Sequence, residues 1–363
     1  MSQMASEHNA LNLSQGFPDF SCSPRLISLV NQYMRKGFNQ YSSLEGLLPL
    51  REKLAAKALE LYGADFNPVT EVNITSGGTQ AIYSAITAVV REGDEVIVFE
   101  PAYDCYVPAI RINGGIPVFV PLMFPGYSMD WESLKKRLSH KTRMIIINTP
   151  NNPTGMVMKH DDMMQLDKLT RGTDIILLSD EVYEHVIFDG NDHQSVLRYP
   201  ELRDRSFVVF SFGKTYHATG WKLGYCFARE HFMREFRKVH QFVVFSSNTP
   251  LQHALSDYLD LKEEYLKLPK FFQQKRDYFL RALKKSRFKP VRCEGTYFQL
   301  LDYSDITDEG DMEFAERLTK EHGIASIPVS VFYNDKRDNK VLRFCFAKSN
   351  VTLKKAAHIL CKL

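Results

Sequence analysis

Between Val72 and Ala228 the chain alternates short apolar runs with helical patterns, and few folds accept that alternation. The runs "VNITS", "EVIVFE", "PVFVPL", "RMIIIN", "DIILLSD", "SFVVFS" and "LGYCFA" read as strands. Patterns such as "TQAIYSAITAVVRE" and "DWESLKKRLS" read as helices and separate several of them. Strands spaced by helices predict a mostly parallel sheet, covered on both faces. The last connection differs. About ten residues separate "SFVVFS" from "LGYCFA", short of the dozen or more that a parallel crossover needs. The final strand is therefore expected to run antiparallel, within an α/β sheet of seven strands.

After Lys262 the pattern changes. "EEYLKLPKFFQQKRDYFLRALKK" reads as a long helix interrupted near Pro269. Shorter strands follow in "TYFQLLDY" and "VLRFCFA", with helical patterns around "DMEFAERLTKEH" and "TLKKAAHILCKL". This predicts a smaller α+β domain over 261–363, joined by residues 1–45, which precede the first α/β strand and hold no core of their own. The large α/β domain is expected over 46–260. A chain of 363 residues is long enough for both.

Composition removes several function classes. With 46 basic against 43 acidic residues the net charge is only +3, which gives no footing for a nucleic-acid or anionic-membrane partner. No apolar run approaches the ~20 residues of a membrane span. The opening "MSQMASEHNALNLSQGFPDF" has neither the basic nor the apolar segment of a secretion signal. The six cysteines lie far apart without a CxxC pair, which fits a reduced, cytoplasmic setting better than a disulfide framework or a zinc site. The 11 histidines form no HExxH or paired arrangement, so no metal is expected.

In an open α/β sheet, ligands gather beyond the carboxyl ends of the parallel strands. "VNITS" runs into Gly77, Gly78, Thr79 and Gln80, and "EVIVFE" into Pro101 and Tyr103. "RMIIIN" runs into "TPNNPTG", which contains Asn152. "DIILLSD" ends on Asp180 with Tyr183 just beyond, and "SFVVFS" ends on Ser211 with Lys214 three residues later. Five strands thus deliver their unusual residues to one edge.

Taken singly, each residue has a plainer reading. "SGGTQ" matches neither glycine-rich phosphate motif and is as readily a flexible bend. "NNPTG" is as readily an ordinary turn, and Asp180 a helix cap. Yet an Asp closing an apolar strand is costly unless a cation or donor meets it. Lys214 and Lys222 stand among Phe212, Tyr216, Trp221 and Tyr225. A lysine in a desolvated pocket, or near another cation, has a lowered pKa and becomes a nucleophile toward carbonyls. A second lysine nearby supplies that field and holds an anion.

The motifs "SDEVYEH", "NNPTG" and "SFGKTYHATGWKLGY" resemble those of class I and II aminotransferases, fold type I enzymes that use pyridoxal 5′-phosphate (PLP). The likeness runs from "QGFPDF" through "NQYSSLEGLLPLREKLA" and "EPAYDCYVPAI" to "VLRFCFAK". It is nearest the branch with kynurenine/glutamine aminotransferases and bacterial methionine aminotransferases. The resemblance implies that Lys214 carries PLP covalently and, once freed, moves the proton of the reaction. It implies that Asp180 faces the pyridine nitrogen, that Asn152 and Tyr183 hydrogen-bond the ring's 3′ oxygen, and that Tyr103 stacks on the ring. Gly78, Thr79, Ser211 and Lys222 would hold the phosphate, with Gln80 beside them among the cofactor-binding residues. Arg343 would grip the substrate α-carboxylate as a bidentate pair, with Gly16 and Asn152 next to it. The resemblance further implies a homodimer, in which Tyr41 reaches the phosphate of the partner's site and Phe245 lines the partner's substrate pocket. Position 222 is lysine where many relatives have arginine, a point charge in place of a fork. Relatives usually carry some further residues ahead of "NLSQGFPDF", including apolar ones that close over the substrate.

The expected reaction moves the amino group of a neutral L-amino acid (methionine, glutamine or aromatic) to a 2-oxo acid in a ping-pong sequence. No motif offers a second arginine for an acidic side chain, and Phe17, Tyr41, Tyr103 and Phe245 suit an apolar one. Two other readings stay open: β-elimination from cysteine S-conjugates on the same cofactor, and a non-catalytic PLP-binding regulator. The latter usually carries a DNA-binding module, for which this chain has no spare basic stretch.

Overall fold

The apolar runs become strands because both of their faces find a core. The computed structural model describes residues 1–363. After a short β1 (Leu11–Asn12), the strands are β2 (Val72–Thr75), β3 (Glu95–Glu100), β4 (Ile116–Pro121), β5 (Thr142–Asn148), β6 (Ile176–Asp180), β7 (Ser206–Ser211) and β8 (Gly224–Phe227). Strands β2 to β8 form one sheet in the order β2-β8-β7-β6-β5-β3-β4. Strands β3 to β7 pair in parallel, whereas β8 runs antiparallel to both β2 and β7. The short link between Ser211 and Gly224 leaves no room for a crossover helix, as its length predicts.

Alternation along the strands explains why the runs are apolar throughout. Ile97, Phe99, Ile145, Ile147, Leu177 and Val208 belong to one buried cluster. Their neighbours Val96, Val98, Met144, Ile146, Ile176, Leu178 and Val209 belong to another. Successive strand side chains point to opposite faces, so the two clusters are the two faces of the sheet. Full burial of each such side chain is worth about 1.5–3 kcal/mol. The helix Gly78–Val89 covers one face with Ala81, Ile82, Ala85, Ile86 and Val89, a helical spacing.

Past the large sheet, the helix Glu263–Leu266 stops and restarts as Leu268–Ala282, with Pro269 in the first turn, where its missing N–H costs nothing. A second sheet uses β9 (Lys289–Pro290), β10 (Phe298–Asp302), β12 (Ile327–Pro328) and β13 (Val341–Cys345), antiparallel in the order β12-β13-β10-β9. The remaining strand, β11 (Ile324–Ala325), pairs in parallel with β1. That pairing attaches the N-terminal residues to the C-terminal part of the chain. The backbone N–H of Cys345 then donates to Leu13, and that of Asp19 to Ala347. Gly16 is thereby held between the two sheets. No helix is long and apolar enough to cross a membrane.

Below the carboxyl ends of the large sheet, the helix Leu48–Tyr62 sends Lys57 to Glu184, Nζ to Oε1 at 2.5 Å, with both side chains buried. Tyr225 donates to the same oxygen at 3.1 Å. Removing one partner of a buried pair strands the other and costs about 3–5 kcal/mol. Lys57→Met is expected to lower the thermal unfolding midpoint by about 6 °C or more. Adding Glu184→Leu to it should recover only part of the loss, because the Tyr225 and Tyr62 hydroxyls then lose their acceptor. A single variant as stable as the parent would show that the pair holds nothing.

Candidate active site

A cavity enclosing about 660 Å3 of empty space, its open mouth included, lies beyond the carboxyl ends of β2, β5, β6 and β7. That position is where an α/β sheet binds ligands. Gly78, Thr79, Tyr103, Asn152, Asp180, Tyr183, Ser211, Lys214 and Lys222 all belong to its wall.

The turn after β2 passes through Gly77 at φ 86 and ψ 169, a conformation open essentially to glycine alone. It starts the helix Gly78–Val89, whose first N–H groups have no partner within the helix and so offer themselves to an anion. Lys222 adopts a left-handed conformation, φ 52 and ψ 55, after the turn Thr219–Trp221. A Cβ on Gly77 would meet the Lys222 Nζ at 3.4 Å, so the amine stands over the glycine turn. Its aromatic neighbours suggested a core position, yet Lys222 is exposed. The left-handed backbone swings it out of the apolar side and into the cavity.

Asp180 closes β6 and is buried. Tyr106 donates its hydroxyl to Oδ2 at 2.6 Å, and the Val182 N–H donates to Oδ1 at 3.3 Å. Burial nonetheless pushes the carboxyl up to about 6, because no cation pairs with it. Asn148, its register partner on β5, donates Nδ2 to the Asp180 carbonyl at 2.9 Å.

Lys214 lies on the single helical turn Phe212–Thr215 that follows β7. Its Nζ donates to the Tyr297 hydroxyl at 3.1 Å and to the Gly16 carbonyl at 3.5 Å. Burial brings its pKa down to about 8. Roughly one amine in ten is then unprotonated and nucleophilic at pH 7. Tyr183 is buried, with its ring edge-on to Tyr297 at 5.1 Å. Thr79 and Tyr103 share a hydrogen bond of 3.3 Å across the cavity wall.

Arg343 reaches in from β13 in the second sheet. It donates Nη1 to Asn152 Oδ1 at 2.6 Å and Nη2 to the Ser14 carbonyl at 3.0 Å, over the Phe298 ring at 4.0 Å. Its Nε is buried without a partner. A buried guanidinium that no carboxylate neutralises is costly, and an anion arriving beside Asn152 would relieve it. The cavity thus presents a lysine amine able to attack a carbonyl, a carboxylate short of a cation, and two sites for anions.

Residues 8–360 match the family described as aminotransferase class I and II. The chain belongs to this family. The methionine aminotransferase of Escherichia coli is 48% identical, over 100% of this chain and 94% of that protein. Kynurenine–oxoglutarate transaminase 1 of Homo sapiens is 34% identical, over 97% of this chain and 92% of its own. Among solved structures, an E. coli methionine aminotransferase superposes with a TM-score of 0.98 at 47% identity, covering 100% of this chain and 95% of that one. The aspartate aminotransferase of Thermus thermophilus does so with a TM-score of 0.91 at 28% identity, covering 99% and 94%. The protein is an aminotransferase of fold type I, and its substrates are amino acids and 2-oxo acids.

Several residues expected at the aminotransferase site stand outside the cavity wall. Gly16 and Arg343 touch it through Lys214 and Asn152. The Gln80 side chain is spent within the turn. It accepts from the Ser76 N–H at 3.0 Å, donates to Ser84 at 2.7 Å and meets His240 Nδ1 at 3.2 Å. Phe17 lies against Lys348, whose Nζ is 4.4 Å above the ring and donates to the Phe17 carbonyl at 2.8 Å. Tyr41 and Phe245 are on the surface, 81% and 48% exposed, with their rings 5.3 Å apart.

Three residues at the site were missed from the sequence. Asn148 was within reach of the strand-end rule. Tyr106 opens the next helix three residues after Tyr103, and its N–H donates to the Tyr103 carbonyl. Tyr297 carried no local signal.

Proposed function

We propose that this aminotransferase holds PLP in the cavity and transfers the amino group of a neutral L-amino acid to a 2-oxo acid in two half-reactions. One observation carries the reading: four groups around a single cavity lack the partners that PLP and an amino acid possess. The Lys222 amine and the free N–H groups of Gly78 and Thr79, with Ser211 beside them, suit a phosphate. Asp180 suits a pyridinium. The Asn152 amide donors and the Tyr183 hydroxyl suit a phenolate oxygen. The Arg343 guanidinium suits an α-carboxylate. When bound, PLP supplies an aldehyde for amine exchange and a ring that withdraws electrons. For its part, the chain binds and orients both molecules, and the Lys214 amine carries a proton.

The substrate class rests on two supports. Arg343 is the only arginine bonded to a residue of the cavity wall, so nothing cationic awaits an acidic side chain. The relatives named for methionine and kynurenine cover 100% and 97% of this chain. The test adds each of the twenty amino acids to the PLP-loaded protein and follows the loss of bound-cofactor absorbance. Methionine, glutamine and phenylalanine should react fastest. A clear win for aspartate would overturn the neutral-substrate reading.

The exposed, edge-to-face pair of Tyr41 and Phe245 supports a homodimer in which these two residues serve the partner's site. The two sheets support a large domain over 46–260 and a small one over 1–45 with 261–363. Six free cysteines fit a cytoplasmic location.

A further inference from the structure

We propose that Tyr297 is a positioning residue for Lys214, its hydroxyl donating to the Gly16 carbonyl while its lone pair receives the lysine amine. A phenol has one proton to give and lone pairs to offer. Here the proton goes to Gly16 at 2.8 Å, so the Lys214 Nζ at 3.1 Å is the donor to the same oxygen. The amine's second acceptor is the Gly16 carbonyl itself, at 3.5 Å. Amine, phenol and backbone strap form a closed triangle across the junction of the two sheets.

The phenol cannot turn away. Its ring is wholly buried, edge-on to Tyr183 at 5.1 Å and tilted against Phe272 at 5.7 Å. The backbone leading to it is strained: Thr296, a β-branched residue, sits at φ 64. A Cβ on the preceding Gly295 would meet the Pro150 ring at 2.6 Å. The Thr296 N–H donates to Val186 and its hydroxyl accepts from the Phe298 N–H, which locks the turn from both sides. Strain of this kind persists only where the surroundings over-determine the conformation. Here its product is the aim of Tyr297.

Other charged and titratable groups face the amine: Asp180 from β6, Lys222 beyond β7, and Arg343 and Cys345 from β13. Tyr183 presents its ring at 5.5 Å. None of them hydrogen-bonds it. Burial holds the Tyr297 phenol well above its usual pKa, so toward Lys214 it acts as an acceptor and not as a base. An acceptor favours the ammonium form. Tyr297 therefore offsets part of the burial that lowers Lys214, and it ties the amine's place and proton to the strap at Gly16.

The catalytic meaning of this contact rests on the proposed PLP chemistry, but its test does not. Cofactor-free protein is labelled with acetic anhydride across a pH series, and acetylation of Lys214 is counted by peptide mass. The parent midpoint should lie near 8, against 10.5 for an ordinary lysine. In Tyr297→Phe the ammonium loses an acceptor, and the midpoint should fall by about one unit. With PLP bound, kcat for methionine should fall about tenfold and KM should rise, since the strap loses a donor, while PLP affinity stays within about twofold. An unchanged midpoint in Tyr297→Phe overturns the proposal, whatever happens to kcat. So does a parent midpoint near 10.5, which needs no variant to fold. A parent that takes up no PLP would sink the proposed function and leave the labelling result standing.

Discussion

Alanine at position 214 is expected to leave a folded protein that fixes no cofactor covalently and turns over roughly 10^4-fold or more slowly than the parent. Of the two lysines in the cavity wall, Lys214 is the one whose amine is aimed by hydrogen bonds, to Tyr297 and Gly16. Lys222 is exposed and stands over the glycine turn as a point charge. The variant therefore has no second amine placed to take over. Its fold should survive, because the Tyr297–Gly16 bond does not depend on Lys214. Borohydride reduction followed by intact mass reads the result: the parent gains the cofactor less one oxygen, water being lost and two hydrogens added, and Lys214→Ala gains nothing. A variant that still gains it would move the anchor to another lysine. The same amine sets a pH dependence. Only the neutral form attacks an aldehyde, and burial places its midpoint near 8. The rate of PLP uptake by the cofactor-free parent should rise with pH and level off above about 8.

Much of this was legible in the sequence because it is local. Strand runs carry their own periodicity, and the length of the link from Ser211 to Gly224 alone decides the direction of β8. Asp180, Lys214 and the turn at Gly77–Gly78 follow strand ends, where an open sheet must bind. What stayed hidden depends on packing between distant segments. Tyr297 meets Gly16 across 281 positions of chain, and no spacing rule anticipates that. Gln80 stands two residues from Gly78, but His240, from another helix, draws its side chain inward. Lys222 looked buried because its neighbours are aromatic, and one left-handed residue reverses the side it faces. Phe17 read as a pocket residue, whereas Lys348 claims both its ring and its carbonyl. Sequence told which segments meet. Which side chain of each segment enters the cavity was settled by its partners.

The second large effect is expected at Asp180, and there charge must be separated from hydrogen bonding. Tyr106 and Val182 already donate to this carboxylate, yet burial leaves it at about 6. Two neutral donors are therefore not enough to hold it fully ionised at neutral pH. A positive charge about 4 Å away, at an effective dielectric near 20, adds about 4 kcal/mol. By reciprocity, the carboxylate keeps that positive charge protonated to the same degree. Removing it should cost about three tenfold steps in rate where the reaction depends on the charge. Asp180→Ala should accordingly bind PLP and retain its visible band, but turn over methionine about 10^3-fold more slowly. Asp180→Asn sharpens the test, because the amide oxygen still accepts from Tyr106 while carrying no charge. If charge is what matters, both variants are slow. If Asp180 serves only to hold Tyr106 and the Val182 turn in place, Asp180→Asn recovers most of the rate and Asp180→Ala does not. Near-parental turnover in both would remove Asp180 from the reaction altogether.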